Sequence, residues 1–355
     1  HGSGTALYEA AQLTNNIHIY GCDINPLANL ITKVKLQGVS ENIYNDIFYL
    51  KNRLQNNIKL IPHNFPGINK WFREYIITDL TKIRYVINEI TDTKNRLFFW
   101  YMLIDVIRKY SNTRSSTYKL HMKKTEAINR IENKVISDYL SSVENNYHYF
   151  LNGKNNFTLI KGDAINYLKG INNNEFDICI TSPPYGDNAT TVPYGQFSML
   201  ALYWIDPNDL ELEGWELKNY SIIDSKSLGG PYHSSASTKN ALCSDLSPYL
   251  NLITLHKQKK VLRFFAGYYN FLEQISRVTK SYIIMTLGNR TVDGVNINLT
   301  ELTIKYLTKN GFKLKEKLRR DIVVKRIPRK VSCVKNHPVS SMNEEYLVVL
   351  QKLDT

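Results

Sequence analysis

The segment Phe176–Gly186 carries residue types that could hold a polar ligand at the end of a β-strand. It opens with a short apolar run, which predicts a strand of a parallel sheet with both faces buried. Pro183 and Pro184 then end the strand, because neither has an N–H to donate and both fix φ near about −65°. The sequence therefore predicts a stiff, extended loop over Ser182–Tyr185, with carbonyl acceptors and an aromatic ring beside them.

This loop could present acceptors to the exocyclic amine of a nucleobase, which carries two N–H donors. The Ser182 hydroxyl and the Pro183 carbonyl would hold both hydrogens and favour a more pyramidal, more nucleophilic nitrogen. Tyr185 would stack on a base swung out of its duplex, as enzymes that modify bases require. An ordinary Pro-Pro turn with a surface tyrosine is the alternative interpretation of these residues.

Two segments near the start of the chain have the composition of a nucleoside-binding site. Gly2–Thr5 precedes a predicted helix over 6–13, and glycines at such a position let the backbone approach a ligand closely. A strand predicted over 17–23 ends in Asp23, where an α/β sheet commonly holds ribose hydroxyls. The chain has no P-loop signature, and Leu7 replaces the third glycine of a dinucleotide fingerprint. A plain turn and a helix N-cap at Asp23 are the alternatives.

Strand and helix patterns alternate again in the second half of the chain. A strand over 157–163 ends in Asp163, which would accept a hydrogen bond from an adenine amino group or serve only as a turn residue. Later predicted elements are helices over 164–171, 262–276 and 299–309 and strands over 281–287, from 312 onward and over 346–350. This alternation predicts an α/β fold.

Two long segments interrupt the alternation. Residues 41–150 have helical periodicity over 71–90, 96–110 and 125–143, which predicts a helical insertion. Residues 187–258 are predicted to be irregular, and a segment of that length is expected to face a substrate. The predicted domains are a cofactor-binding half over 1–40, the insertion over 41–150 and a catalytic half over 151–355.

The chain is strongly basic, with 45 Lys and Arg against 32 Asp and Glu and a formal net charge of +13 over 355 residues. Such a balance favours a polyanionic partner, and nucleic acid is the commonest. Basic clusters lie in the segment 111–124, which we name the basic loop, and at 325–330; solvated turns are the alternative. The residues predicted to contact DNA are Arg114, Lys119, His121, Lys123, Lys124, Arg290, Lys325, Arg326, Arg329 and Lys330.

The four cysteines form no C-x-x-C pair, so neither a disulfide framework nor a metal site is predicted. None follows a proline, which argues against the Pro-Cys nucleophile of cytosine carbon-5 methylation. Their number and spacing favour a reducing, cytoplasmic setting, and no apolar run is long enough to span a bilayer. Because the chain starts directly on a glycine turn, we expect further residues upstream of His1.

In four segments that follow one another along the sequence, the chain resembles the S-adenosylmethionine-dependent DNA amino-methyltransferases, which methylate N4 of cytosine or N6 of adenine. The segments are Gly2–Thr5, Gly21–Pro26, Lys161–Ala164 and Thr181–Tyr185. The resemblance covers roughly residues 1–36 and 157–350 and implies a Rossmann-like class I methyltransferase sheet with helices on both faces. The catalytic residues it implies, matching the family's [DNS]-P-P-[YFW] tetrapeptide, are Ser182, Pro183, Pro184 and Tyr185. The cofactor-binding residues it implies are Gly2, Ser3, Gly4, Thr5, Asp23, Ile24, Asp163, Ala164 and Thr181.

The resemblance further implies S-adenosylmethionine as the cofactor, double-stranded DNA as the substrate, and a restriction endonuclease or defence-system subunits as partners. It also makes the insertion over 41–150 the candidate target-recognition region, with 187–258 as the alternative. The family's Asp-Pro-Phe lead-in to the glycine turn is absent. Serine in the first motif position goes mostly with cytosine, so Ser182 predicts N4-methylcytosine, with N6-methyladenine as the alternative. An RNA or protein-glutamine methyltransferase and an idle nucleic-acid-binding subunit also remain alternatives.

Overall fold

A computed structural model of the chain describes residues 1–13, 16–154, 156–186, 192–230, 239–322, 330–334, 337–340 and 344–353. For residues 239–244, 330–334 and 337–340 it describes the backbone alone. The α-helices are α1 (Thr5–Leu13), α2 (Pro26–Gln37), α3 (Ile43–Gln55), α4 (Ile68–Trp71), α5 (Glu74–Glu89), α6 (Thr93–Tyr110), α7 (Thr125–Asn129), α8 (Val135–Asn146), α9 (Ala164–Lys169), α10 (Tyr194–Trp204), α11 (Ile222–Lys226), α12 (Lys239–Leu250), α13 (Leu255–Val278) and α14 (Leu299–Lys309). The strands are β1 (Ile19–Asp23), β2 (Phe157–Lys161), β3 (Phe176–Thr181), β4 (Thr279–Leu287), β5 (Arg290–Val292), β6 (Val295–Ile297), β7 (Phe312–Asp321), β8 (Lys330–Val334), β9 (His337–Ser340) and β10 (Glu344–Lys352).

The chain divides into two compact units. Unit 1 comprises His1–Lys161 and Tyr194–Ile222, and unit 2 comprises Gly162–Pro193 and Ile223–Thr355. Both units combine helices with strands, so the predicted α/β class is confirmed in this broad form. The more specific prediction, a Rossmann-like sheet with helices on both faces, remains a prediction.

The strands of unit 1 form a parallel pair that places a carboxylate at its end. β1 runs beside β2 in register from Ile19 opposite Phe157 to Asp23 opposite Lys161. A side chain on Gly21, in the middle of β1, would collide with Leu7 of α1 and with β2. Helix and strands therefore pack closely here, and Asp23 lies at the carboxyl end of the pair.

The rest of unit 1 is mainly helical in the described residues, and its assignment as an insertion remains a prediction. Its core includes Phe98, Phe99 and Trp100 of α6, which are fully buried. The predicted helix over 125–143 is instead split into α7 and α8. At the end of α7 the Ile128 carbonyl accepts from the Ile131 N–H at 3.1 Å, a three-residue turn in place of the next helical bond, and from the Arg73 guanidinium at 2.5 Å.

Helix α10 corrects the prediction of an irregular segment over 187–258. The part of that segment that the structure describes includes α10, α11 and α12. Every residue from Ser198 to Trp204 is buried, and α10 belongs to unit 1. A helix that is apolar on all faces has little amphipathic periodicity, so its sequence does not indicate a helix. The substrate-facing role of this segment remains a prediction.

Unit 2 contains a four-stranded sheet in the order β3-β4-β10-β7. β3 and β4 are parallel, whereas β10 is antiparallel to both β4 and β7. Buried side chains from α13, β4, α14 and β10 form one hydrophobic cluster. β7 is exposed along all but its first residue and is rich in Lys and Arg, a composition that discourages pairing with other chains at a sheet edge.

The prediction that β3 is buried on both faces is wrong. Ile178 and Ile180 are each 52% exposed. Within the described residues β3 pairs with β4 alone, so it is an edge strand of its sheet. The apolar run correctly indicated a strand, but it could not indicate whether both faces of that strand are covered.

Candidate functional site

The Ser182–Tyr185 loop follows β3 directly, as predicted. Thr181, the last residue of β3, lies opposite Met285 of β4, and the chain then leaves the sheet. The Ser182 side chain is exposed, Pro183 is buried and Tyr185 is half-buried. Pro183 thus anchors the loop while Ser182 faces solvent, where an incoming amine could reach its hydroxyl.

The Tyr185 ring is held by packing and by a hydrogen bond. It packs against the hydrophobic cluster of unit 2 and lines a small apolar cavity with Phe264, Leu299 and Arg290. Its hydroxyl donates to Glu345 Oε1 at 3.2 Å. The ring therefore has a defined position.

Arg290 lies beside the loop. The sequence analysis predicted that Arg290 contacts DNA but did not predict this position. The Arg290 side chain passes so close to Gly186 that a β-carbon there would overlap the guanidinium group. Glycine is required at position 186 for this approach. Arg290 therefore brings a positive charge next to the proposed catalytic tetrapeptide.

The glycine turn in unit 1 has the left-handed backbone that glycine permits. Gly2 has φ 56° and Gly4 has φ 72°. A β-carbon on Gly4 would overlap Thr32 of α2, whereas no atom lies within 4 Å of the corresponding point at Gly2. Gly4 is thus needed for helix packing, while Gly2 leaves open space where a ligand could approach the backbone. Ser3 and Thr5 are exposed beside it, and their hydroxyls lie 3.2 Å apart.

Asp23 ties the glycine turn to the end of β1. Its Oδ2 accepts from the Gly2 N–H at 2.9 Å, and its Oδ1 accepts from the Asn25 N–H at 2.9 Å. A carboxylate oxygen accepts two hydrogen bonds, so Oδ1 retains capacity for a ribose hydroxyl. Ile24, which follows, is half-buried. The alternative of Asp23 as a helix N-cap is wrong, because the α2 cap is Asn25.

Asn25 is a supporting residue that the sequence interpretation did not single out. Its Oδ1 accepts from the Leu27 N–H at 3.0 Å, and its Nδ2 donates to Ser198 of α10 at 2.8 Å. The Asn-Pro dipeptide after Asp23 is a recognisable helix start. The partner on α10, 173 positions away, has no local signal in the sequence.

Asp163 of unit 2 caps α9. Its Oδ1 accepts from the Asn166 N–H at 2.9 Å, and Ala164 is the first helical residue. Both are half-buried. The structural role of Asp163 is therefore established, and its predicted contact with the cofactor adenine remains a prediction.

Cys179, three residues before Ser182, is not equipped to act as a nucleophile. Burial raises the pKa of its thiol to about 12, so that the thiol stays protonated at neutral pH. This agrees with the sequence argument against a cysteine-dependent mechanism. Among the described residues, no group of three or more His, Cys, Asp or Glu side chains could hold a metal ion.

The basic loop is anchored on α6. Thr113 and Met122 form a β-bridge across it. The Arg108 guanidinium donates to the carbonyls of Arg114 at 3.0 Å and Thr117 at 2.7 Å. A solvated linker would have no such contacts, so the loop presents its exposed side chains on a defined backbone.

The side chains of the basic loop fall into two groups. Lys123 is half-buried and its Nζ donates to the buried Ser111 carbonyl at 2.7 Å. Burial lowers the pKa of Lys123, and the positive charges of Arg73 and Arg108 lower it further. The exposed side chains of the loop that can carry a positive charge are Arg114, Lys119, His121 and Lys124.

The second basic cluster cannot be placed in the same way. Lys325, Arg326 and Arg329 lie outside the described residues, and only the backbone of Lys330, the first residue of β8, is described. Their predicted contacts with DNA remain predictions.

None of the helices in the described ranges has the length and apolar content that crossing a bilayer would require.

The chain is similar over nearly its whole length to one curated protein. It is 30% identical, over 390 aligned positions, to the Type II methyltransferase M.MvaI of Kocuria varians, and the alignment covers 98% of this chain and 82% of that protein. No protein-family model and no solved structure matches the chain.

Proposed function

This chain belongs to the Type II methyltransferases, and from that membership we propose that it methylates the exocyclic amine of a base in double-stranded DNA. S-adenosylmethionine is the proposed methyl donor and N4 of cytosine the favoured acceptor. The observation that best supports this is the Ser182–Tyr185 loop after β3, with an exposed hydroxyl beside a ring of defined position.

The loop residues would bind the amine rather than perform acid–base chemistry. The Ser182 hydroxyl and the Pro183 carbonyl accept the two amine hydrogens, which directs the nitrogen lone pair away from them. Tyr185 stacks on the extruded base and excludes water from one of its faces. The reaction forms a nitrogen–methyl bond, breaks a sulfur–methyl bond, and releases one amine proton to solvent. A sulfonium donor is reactive enough that alignment supplies much of the catalysis.

The cofactor-binding residues of unit 1 fit an S-adenosylmethionine site. The open space beside Gly2 allows a ligand to approach the turn formed by Gly2, Ser3, Gly4 and Thr5. Asp23 Oδ1 has capacity for a ribose hydroxyl, and Ile24 would contact the nucleoside. When bound, S-adenosylmethionine supplies the electrophilic methyl group. The contacts proposed for Asp163, Ala164 and Thr181 rest on the resemblance of their segments to the methyltransferase motifs alone.

DNA would be held by the exposed part of the basic loop, with Arg290 beside the target base. The net charge of +13 favours such a partner. As a Type II methyltransferase, the protein would protect sites from a cognate restriction endonuclease, which is its proposed biological partner.

The experiment is to incubate the purified protein with S-adenosylmethionine and DNA, digest the DNA and weigh the nucleosides. N4-methylcytosine is the expected product. N6-methyladenine would show that the interpretation of Ser182 is wrong, although the methyltransferase function would stand. Methylation of tRNA or of a protein glutamine instead of DNA would overturn the proposal.

A further inference from the structure

Glu345 connects the proposed base-stacking ring to the far strands of its sheet. Its Oε1 accepts the hydrogen bond from the Tyr185 hydroxyl at 3.2 Å, and its Oε2 accepts from the Arg320 guanidinium. Glu345 lies on β10 directly opposite Arg320 on β7. Its side chain is only 15% exposed, whereas Arg320 is 75% exposed. The carboxylate is therefore directed inward at Tyr185, with a surface arginine offsetting its charge.

We infer that Glu345 is a positioning residue that fixes the orientation of the Tyr185 ring against the target base; this rests on the proposed function. Packing on the apolar cavity restrains one side of the ring. The hydroxyl lies at the far end of the side chain, on the axis about which the ring rotates, so a hydrogen bond there fixes the direction in which the side chain points. The packing restrains rotation of the ring about that axis. A stacking surface that is ordered before the base arrives loses less entropy when the base binds.

The chain contains a matched control one residue away. Glu344 accepts from the Tyr346 hydroxyl at 2.6 Å and from Arg319 at 3.1 Å, so it also joins a tyrosine to an arginine. Successive residues of a strand point to opposite faces of a sheet, so Glu344 points away from the face that carries Glu345. Removing either glutamate disrupts an arginine pair near the end of β10, but only Glu345 contacts Tyr185.

The test compares single-turnover methyl transfer to a duplex oligonucleotide by five variants. They are Glu345→Ala, Glu345→Gln, Tyr185→Phe, the double variant Tyr185→Phe/Glu345→Ala, and Glu344→Ala. Glu345→Ala should lower the rate about tenfold, equivalent to about 1.4 kcal/mol, as expected for a lost hydrogen bond to a charged group. Glu345→Gln should retain most of the rate, because its amide oxygen still accepts from Tyr185. Glu344→Ala should stay within about twofold of the wild type.

The double variant separates positioning from general stability. If Glu345 acts through the Tyr185 hydroxyl, Glu345→Ala should have little further effect once Tyr185→Phe has removed that hydroxyl. The thermal shift produced by S-adenosylmethionine should be the same in all five variants. Equal losses in Glu344→Ala and Glu345→Ala, or fully additive effects in the double variant, would overturn this inference alone. A wild-type protein that methylates no DNA would overturn the proposed function and this inference with it.

Discussion

The glycine turn and the Ser182–Tyr185 loop are both proposed ligand sites, but they are supported in different ways. The turn is held by Asp23, 21 positions from Gly2 in the chain. The loop is held by Glu345, 160 positions from Tyr185, and by Arg290. The hydrogen bond that holds the turn joins residues separated by one helix and one strand. A site supported from distant strands depends on the whole sheet.

The largest expected effect is at the locally supported site. S-adenosylmethionine at about 100 times its dissociation constant should add roughly 2.7 kcal/mol to the free energy of unfolding. Asp23→Ala should lose most of that gain, because it removes the ribose acceptor and the hydrogen bond that holds the Gly2 backbone. Thermal melts with and without the cofactor measure it. Asp177→Ala, which removes an exposed carboxylate from β3, is the control and should keep the full gain.

At the Ser182–Tyr185 loop, the largest effect is expected when the Tyr185 ring itself is removed. Tyr185→Ala should lose a base stack worth about 1–3 kcal/mol, measured as the decrease in kcat/KM for DNA methylation. The stabilisation by S-adenosylmethionine should persist, since the glycine turn and Asp23 are untouched. A Tyr185→Ala variant with wild-type kcat/KM would remove the ring from the proposed mechanism.

The same difference explains how much the sequence could predict. The glycine turn, the strand that ends in Asp23 and the Ser-Pro-Pro-Tyr loop are short segments whose local chemistry fixes their backbone, and each occurs where predicted. The supports of Tyr185 come from β10 and β5, which meet the loop only after long-range strand pairing. No local pattern in Glu344–Tyr346 distinguishes the glutamate that contacts Tyr185 from its neighbour.

Burial was also beyond local prediction in two places. The apolar run of β3 predicted two buried faces, yet Ile178 and Ile180, which share one face, are half-exposed, because the exposure of a face depends on what packs against it. The segment around Met199 has no helical periodicity because all of its faces are buried. In both cases the missing information concerned what packs around the element, which the element's own residues do not encode.

The helix-capping role of Asp163 can be tested separately from its proposed contact with the cofactor. Asp163→Ala should cost about 1 kcal/mol of stability through loss of the α9 cap. Asp163→Asn should keep the cap, because asparagine caps helices about as well as aspartate. If the second oxygen of Asp163 also accepts from the cofactor adenine, both variants should bind S-adenosylmethionine more weakly than the wild type, because in asparagine the oxygen stays on the cap and a donating amide nitrogen replaces the second oxygen. Calorimetric binding with wild-type affinity in Asp163→Asn would leave the residue as a cap alone.

The smallest expected effect concerns DNA and divides the basic loop in two. Lys119 and Lys124 are exposed, so each could pair with a DNA phosphate, whereas the Lys123 ammonium already binds the Ser111 carbonyl. Each phosphate contact contributes about 0.9 to the slope of log affinity against log salt concentration. Lys119→Ala/Lys124→Ala should therefore weaken binding and reduce that slope by up to about two units. Lys123→Ala should leave the slope unchanged and lower the melting temperature, because it removes a contact that holds the loop.

Fluorescence anisotropy with a labelled duplex over a salt series measures both slopes. If Lys123→Ala reduces the slope as much as the double variant does, the buried lysine must leave Ser111 to contact DNA, and the division of the loop into structural and DNA-contacting residues is wrong.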